Sequence, residues 1–148
     1  RYGKICILAD ADSDGLHIAT LLCALFLRHY KSLVQEGRIY ISMPPLYRID
    51  SGKDVLYALD DKQRDEIVTE FKKKKGKPKV NIQRFKGLGE MNPPQLRETV
   101  MDPATRQLVQ LSISSSDNAN SMMDLLLSKK NAPARKEWLE KKGSLAKI

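Results

Sequence analysis

Three carboxylates lie within five residues near the start of the chain, at Asp10, Asp12 and Asp14, and Gly15 follows them directly. Carboxylates this close repel one another unless a positive charge offsets them. Oxygen ligands at this density suit Mg²⁺ or Ca²⁺ rather than Zn²⁺. Metal binding is therefore our first interpretation, and a capped turn with solvated acids is the alternative.

The same D-x-D-x-D-G spacing also opens the calcium-binding loop of an EF-hand. In that loop, position twelve carries a bidentate glutamate and helices flank both sides. Counted from Asp10, position twelve is Leu21, and the segment before Asp10 has the composition of a strand. The sequence therefore argues against an EF-hand.

The acidic residues lie between a predicted strand and a predicted helix. A continuous apolar run within residues 4–9 is too short for a helix and indicates a fully buried strand. Apolar residues spaced by three and four, from Leu21 to Tyr30, predict a helix over residues 16–35 that stops at Gly37. With a second strand predicted over residues 38–43, these elements form a right-handed βαβ unit, whose ligands bind at the carboxyl ends of strands.

Short strands and helices alternate along the rest of the chain. Strands at residues 47–50 and 54–59 flank Ser51-Gly52-Lys53, which has the composition of a hairpin loop. The remaining predicted elements are a helix capped by Asp60 or Asp61 that runs through Phe71, a strand over 80–85, a helix after Asn92-Pro93, a strand over 108–113, and two final helices over 116–127 and 133–142.

Positive charge lies mainly downstream of the acids. The formal net charge is +8, of which residues 1–59 carry +1, residues 60–107 carry +4 and residues 108–148 carry +3. This imbalance suits a polyanionic partner, and a solvated basic surface is the alternative. The set Arg84, Lys86, Gly87 and Gly89 pairs cations with small residues, as a phosphate contact requires, but a tight strand-to-helix turn explains the glycines equally well. The lysine run over residues 72–75 is interpreted as a solvated helix end.

Length and composition indicate one globular domain, or one lobe with an appendage. The chain has 148 residues, of which 41% are hydrophobic, and its apolar runs are too short to cross a bilayer. Cys6 and Cys23 lie in apolar segments and are predicted to be free thiols in a reducing compartment. Because the chain begins with Arg1 rather than Met, we expect it to be a fragment of a longer protein.

Four ordered segments resemble the TOPRIM domain of type IIA DNA topoisomerases, in particular of their bacterial B subunits. They are DADSDGLHI at residues 10–18, PPLYR at 44–48, QRFKGLGEM at 83–91 and QLRET at 95–99. A single D-x-D motif also occurs in primases and nucleases, but four matches in the family's order favour the topoisomerases. Within the family we expect the topoisomerase IV branch, with gyrase as the alternative.

The resemblance implies that Asp10, Asp12 and Asp14 hold one or two Mg²⁺ ions where DNA is cut and rejoined, with Asp10 and Asp12 catalytic. It also implies that Arg84, Lys86, Gly87 and Gly89 contact DNA. The attacking tyrosine belongs to the family's A subunit, so no tyrosine of this chain is expected to be catalytic. The implied partners are double-stranded DNA and that A subunit, in an A2B2 heterotetramer, without a membrane. The implied activity is ATP-dependent strand passage, which decatenates and relaxes DNA. The implied location is the chromosome in the bacterial cytoplasm.

The implied fold is α/β. Residues 1–59 would be the C-terminal half of a Rossmann-like TOPRIM domain with parallel strands and a hairpin, and residues 60–148 a basic α+β tail with helices. The family's first acidic motif and its ATP-binding domain do not precede Asp10, so we expect the fragment alone to be inactive. A non-catalytic, basic nucleic-acid-binding module with a structural ion is the alternative from a different class, and a TOPRIM primase or nuclease is a third interpretation.

Overall fold

The computed structural model describes residues 2–73, 79–114 and 118–145. Strands and α-helices alternate through these residues. The strands are β1 (Ile5–Ile7), β2 (Ile39–Ser42), β3 (Tyr47–Ser51), β4 (Asp54–Ala58), β5 (Val80–Arg84) and β6 (Leu108–Gln110). The α-helices are α1 (Ser13–His29), α2 (Lys31–Gln35), α3 (Asp61–Lys73), α4 (Pro93–Leu96), α5 (Ala119–Leu127) and α6 (Ala132–Lys142).

The first sheet contains β1, β2 and β6, in that order. β1 and β2 are parallel, with Ile7 opposite Ile41, and α1 and α2 lie between them in sequence. The predicted strand–helix–parallel strand unit is therefore confirmed. β6 pairs with β2 in the antiparallel direction, with Val109 opposite Ile41, so the sheet is mixed rather than parallel throughout.

The prediction that the first strand is fully buried is wrong. Ile7 is 5% exposed, but Ile5 at the other end of β1 is 38% exposed. Within the described residues, β1 has a neighbouring strand on one side only. An apolar run reveals that a segment is a strand, but it does not reveal the strand's position in the sheet.

α1 packs against the first sheet through part of its predicted apolar face. Ala19 is buried with Ile7 and Ile39, and Leu22 and Phe26 pack against this core. Leu21 and Leu25 remain exposed. The single helix predicted over residues 16–35 is interrupted at Tyr30, whose φ of −133° and ψ of 42° are not helical. Apolar spacing continues across this break, so periodicity alone does not reveal it.

The second sheet contains β4, β3 and β5 in that order, and all its pairs are antiparallel. The predicted hairpin is confirmed, since Ser51 pairs with Asp54 across the turn. α3 covers one face of this sheet, where Phe71 packs with Tyr47, Ile49 and Ala58. The Oδ1 atom of Asp60 accepts a hydrogen bond of 2.7 Å from the Gln63 amide, which confirms the predicted cap of α3.

The later helices are fixed by side-chain bonds to backbone groups. Asn92 and Gln95 form a capping box at α4, and the chain continues into a π-helical turn at Arg97–Met101. The Arg135 guanidinium of α6 donates to the carbonyl oxygens of Leu125 and Leu126, at 2.9 Å each, and so satisfies the C-terminal end of α5. The start of the helix predicted at residue 116 and the lysines at 74 and 75 lie outside the described residues.

The described residues thus form an α/β fold with one mixed and one antiparallel sheet, which agrees with the α/β class predicted from the sequence. Both sheets combine strands from the two sides of residue 59, since β5 pairs with β3 and β6 pairs with β2. The division into residues 1–59 and 60–148 stays a prediction. Cys6 and Cys23 are free, and burial raises the pKa of the Cys23 thiol.

Candidate metal and nucleic-acid site

Asp10 follows β1 and its carboxylate contacts a segment 78 residues further along the chain. The Leu88 backbone amide donates a hydrogen bond of 2.7 Å to Asp10 Oδ1. Leu88 belongs to the segment Lys86–Glu90, which we call the glycine loop and which ends in a 3₁₀ turn at Leu88–Glu90. Two motifs that are far apart in sequence therefore form one site.

Gly87 gives the glycine loop its close approach to Asp10. A Cβ atom at Gly87 would lie 2.9 Å from Asp10 Cγ and 3.0 Å from both carboxylate oxygens. Any other residue at this position would require the Asp10 side chain to shift. Gly89 has no such neighbour, since nothing lies within 4 Å of the corresponding position.

Asp12 and Asp14 lie at the N-terminus of α1. Asp12 is the N-cap, and its Oδ1 atom accepts a hydrogen bond of 2.7 Å from the Gly15 amide. Asp14 lies in the first turn of the helix. The partial positive charge of a helix N-terminus stabilises nearby carboxylates, so it offsets part of the repulsion within the acidic cluster.

The donor set fits Mg²⁺ bound together with phosphate rather than a complete protein cage. Asp10 and Asp12 each use one oxygen in a hydrogen bond, and all three acids are exposed. Within the described residues, no three His, Cys, Asp or Glu side chains form a ready-made metal cluster. Mg²⁺ commonly takes one or two protein carboxylates and completes its shell with water and substrate phosphates. These exposed acids suit that mode.

The proline motif lies beside the same loop. Pro44 and Pro45 line a small crevice together with Ala11, Gly87 and Leu88. The buried Phe85 also lines this crevice, and its amide donates a 2.8 Å hydrogen bond to the Leu46 carbonyl. Three of the four sequence motifs therefore meet around the acidic turn, through contacts that their spacing alone does not specify.

The predicted cations lie on and beside the glycine loop. Arg84 is at the end of β5, exposed, with its guanidinium carbon 6.0 Å from the centroid of the Tyr47 ring. Lys86 begins the loop, and its side chain is exposed. The close approach of Gly87 to Asp10 does not decide between the two interpretations of the glycines, a phosphate contact and a tight turn. A DNA contact by Arg84, Lys86, Gly87 or Gly89 stays a prediction.

Glu90 is a member of the site that sequence reasoning missed. Its Oε2 atom accepts a hydrogen bond of 2.8 Å from the Lys86 amide and so bridges the glycine loop. The sequence does show that Glu90 follows Lys86 by four residues, across the glycines. A helix cap or a solvated acid would give the same pattern, so the pattern does not identify the hydrogen bond.

The fourth motif forms a structural junction. Thr99 is buried and donates to the Gln95 carbonyl at 2.8 Å. Glu98 accepts a hydrogen bond of 3.0 Å from the Tyr57 hydroxyl of β4. Burial, followed by this hydrogen bond to the carboxylate, raises the pKa of Tyr57.

None of the described helices has both the length and the apolar character that crossing a membrane requires.

Comparison with known proteins supports the relationship suggested by the motifs. Residues 77–140 match the family model described as the DNA gyrase B subunit, carboxyl terminus. Over the whole chain, identity is 64% to the DNA topoisomerase 4 B subunit of Pseudomonas aeruginosa and 61% to that of Escherichia coli, each over 150 aligned positions. Identity to the DNA gyrase B subunit of Thermotoga maritima is 44%, over 95% of this chain and 21% of that protein.

These identities confirm the predicted resemblance to topoisomerase IV B subunits, with gyrase B subunits more distant. The chain spans about a quarter of the length of the curated topoisomerase relatives, 24% in both bacteria named.

Proposed function

From this resemblance along the whole chain, we propose that the chain supplies the Mg²⁺-dependent half of a DNA cleavage and religation site in a type II DNA topoisomerase, as part of a topoisomerase IV B subunit. The observation that carries the proposal is the 2.7 Å hydrogen bond between Leu88 and Asp10, which joins the acidic turn to a loop beside two cations. The Asp10 carboxylate can bind a metal ion, and the cations beside the glycine loop can bind a phosphate. Their proximity suits a metal ion that also contacts that phosphate.

In this proposal Asp10, Asp12 and Asp14 hold the ion, and Asp10 and Asp12 are the catalytic pair. Bound Mg²⁺ supplies positive charge that stabilises the scissile phosphate and the leaving oxygen. Asp10 is oriented by the Leu88 amide and Asp12 by its place as the N-cap of α1. The carboxylates of Asp10 and Asp12 thus each accept a hydrogen bond from a backbone amide before any ligand binds.

The basic residues hold the DNA backbone beside these acids. Arg84 and Lys86 are exposed and offer charge to phosphates, and Gly89 leaves open space at the loop surface. The glycine loop amides of Lys86 and Leu88 already donate to Glu90 and Asp10. The side-chain cations, rather than those two amides, are therefore the phosphate ligands that we propose.

The remaining parts of the reaction are assigned outside this chain. We propose double-stranded DNA as the substrate and the A subunit of topoisomerase IV as the partner that brings the attacking tyrosine, in an A2B2 heterotetramer. ATP would bind in another region of the parent protein and drive strand passage, giving decatenation and relaxation of the chromosome in the bacterial cytoplasm. The TOPRIM identity of residues 1–59, with residues 60–148 as the tail, is part of the same proposal.

The test compares the full-length parent protein with its Asp10→Ala and Asp12→Ala variants, each assembled with the tyrosine-bearing partner. Covalent DNA cleavage is measured in Mg²⁺, and ATP turnover reports that the rest of the parent protein is folded. We expect cleavage to fall by at least about 100-fold, the loss seen when a major electrostatic contribution is removed, with ATP turnover retained. Unchanged cleavage in both variants would show that the acidic cluster is structural.

A further inference from the structure

We propose that Glu90 is a positioning residue for the metal site: it holds the glycine loop in the conformation in which the Leu88 amide orients the Asp10 carboxylate. This inference rests on the proposed function, in which Asp10 is a metal ligand. It gives a role to a carboxylate that lies outside the acidic cluster.

The first step is the dependence of Asp10 on the loop. Asp10 is exposed, and the hydrogen bond from Leu88 is the contact that fixes its Oδ1 atom. A hydrogen bond to an ionised carboxylate is stronger than a neutral one. Without this donor, the Asp10 carboxylate would lose the hydrogen bond that sets its direction.

The second step is the fit between the loop and the carboxylate. Gly87 lies against Asp10 so closely that a Cβ atom would be 3.0 Å or less from three atoms of the carboxylate group. The loop backbone therefore covers one side of the carboxylate. A shift of the loop by a few tenths of an ångström would change both the contact at Gly87 and the direction of the Leu88 amide.

The third step is the closure of the loop by Glu90. Its Oε2 atom accepts from the Lys86 amide at 2.8 Å, and its own amide donates to the Gly87 carbonyl at 3.2 Å. The side chain and the backbone of Glu90 thus bind the two residues that precede Leu88. Both hydrogen bonds lie within the loop, so Glu90 acts on Asp10 through the loop.

The consequence concerns metal affinity. Mg²⁺ demands near-octahedral geometry, so a carboxylate that is fixed in direction binds it better than one that rotates. Loss of a group that orients a metal ligand commonly weakens binding by about 10-fold to 100-fold. We expect Glu90→Ala to have an effect in that range.

The experiment uses Mn²⁺ as a paramagnetic probe of the site, titrated into the full-length parent protein without nucleotide. Three variants are compared with the wild type: Glu90→Ala, which removes the acceptor; Glu90→Gln, which keeps an acceptor oxygen but removes the charge; and Asp10→Ala. Glu66→Ala, at an exposed glutamate of α3, is the matched control for loss of one negative charge. Thermal unfolding without metal checks that each variant is folded.

We expect the Mn²⁺ Kd to rise about tenfold or more in Glu90→Ala and to stay near the wild-type value in Glu90→Gln and Glu66→Ala. Equal losses in Glu90→Ala and Glu90→Gln would overturn the proposal, because Glu90 would then act through its charge, as a ligand does. Normal affinity in Glu90→Ala with weakened affinity in Asp10→Ala would also overturn it, while leaving the proposed function intact. Normal affinity in Asp10→Ala would instead remove the proposed function itself.

Discussion

Gly15 lies in the first turn of α1, directly against the backbone of Asp10. A Cβ atom at this position would lie 2.1 Å from the Asp10 carbonyl oxygen. The clash would be with backbone, so a change of side-chain rotamer could not relieve it. Gly15 therefore allows the first turn of α1 to lie directly on the acidic turn that carries Asp10 and Asp12.

We predict that Gly15→Ala lowers the free energy of unfolding by about 1 to 3 kcal/mol, the usual cost of overpacking. Alanine normally favours a helix over glycine, so a loss of stability would identify the steric contact as the cause. The measurement is urea unfolding followed by circular dichroism.

Gly89→Ala is the control for this prediction, because the space around Gly89 is open. We expect its free energy of unfolding to stay within the range of ordinary surface substitutions, about 0.5 kcal/mol. Stability equal to wild type in Gly15→Ala would contradict the close approach of α1 to Asp10.

At the scale of elements, one hydrogen bond connects the hairpin to the π-helical turn. Tyr57 of β4 donates to Glu98 of the turn, and the two residues are 41 positions apart in sequence. Burial and the Glu98 carboxylate both favour the protonated phenol, which is why the pKa of Tyr57 is raised. The folded chain therefore binds the Tyr57 proton more tightly than the unfolded chain does.

We predict a loss of stability at alkaline pH that depends on Tyr57. Its contribution is complete below the pKa of an unfolded tyrosine, about 10, and is lost as pH rises through the higher pKa of the folded state. Unfolding midpoints measured across this range should therefore decline less steeply in Tyr57→Phe than in wild type. Tyr30→Phe removes an exposed hydroxyl and should retain the wild-type decline. Identical profiles in wild type and Tyr57→Phe would contradict the prediction.

At the scale of the whole molecule, the net charge of +8 is distributed unevenly along the chain. The fold brings the Leu88 amide to Asp10, and the basic residue Lys86 lies two positions before Leu88. Negative and positive groups are thus adjacent, although the chain as a whole is basic. A polyanion that approaches this region needs the loop cations, or a metal ion on the acids, to offset the carboxylates.

We predict that Lys86→Ala in the parent protein reduces the salt dependence of duplex DNA binding. If Lys86 contacts one phosphate, the slope of log K against log salt concentration should become shallower by about 1. Fluorescence anisotropy at several salt concentrations gives this slope.

The matched control is Lys53→Ala, which removes the same charge at the turn of the β3–β4 hairpin. We expect its slope to equal that of the wild type. An equal change in both variants would indicate general charge attraction rather than a phosphate contact by the glycine loop.

The sequence by itself determined the local structure. Apolar runs and turn residues located the strands, the hairpin at residues 51–54 and a cap of α3 at Asp60 or Asp61, because these features depend on nearby residues. The motifs also carried the family resemblance that whole-chain identity then confirmed. The acidic residues were selected as candidates because their spacing within one turn is unusual for unpaired charges.

Only the tertiary structure decided how distant segments meet. It placed β6 beside β2 and β5 beside β3, left Ile5 at an exposed edge, and joined Asp10 to Leu88. These relations depend on sheet order and on hydrogen bonds made by backbone groups to segments far apart in sequence. Every residue other than proline carries the same backbone donor and acceptor, so the sequence does not specify which strands pair or which amide donates to the Asp10 carboxylate. For that reason the roles of Gly87 and Glu90 became visible only in the folded chain.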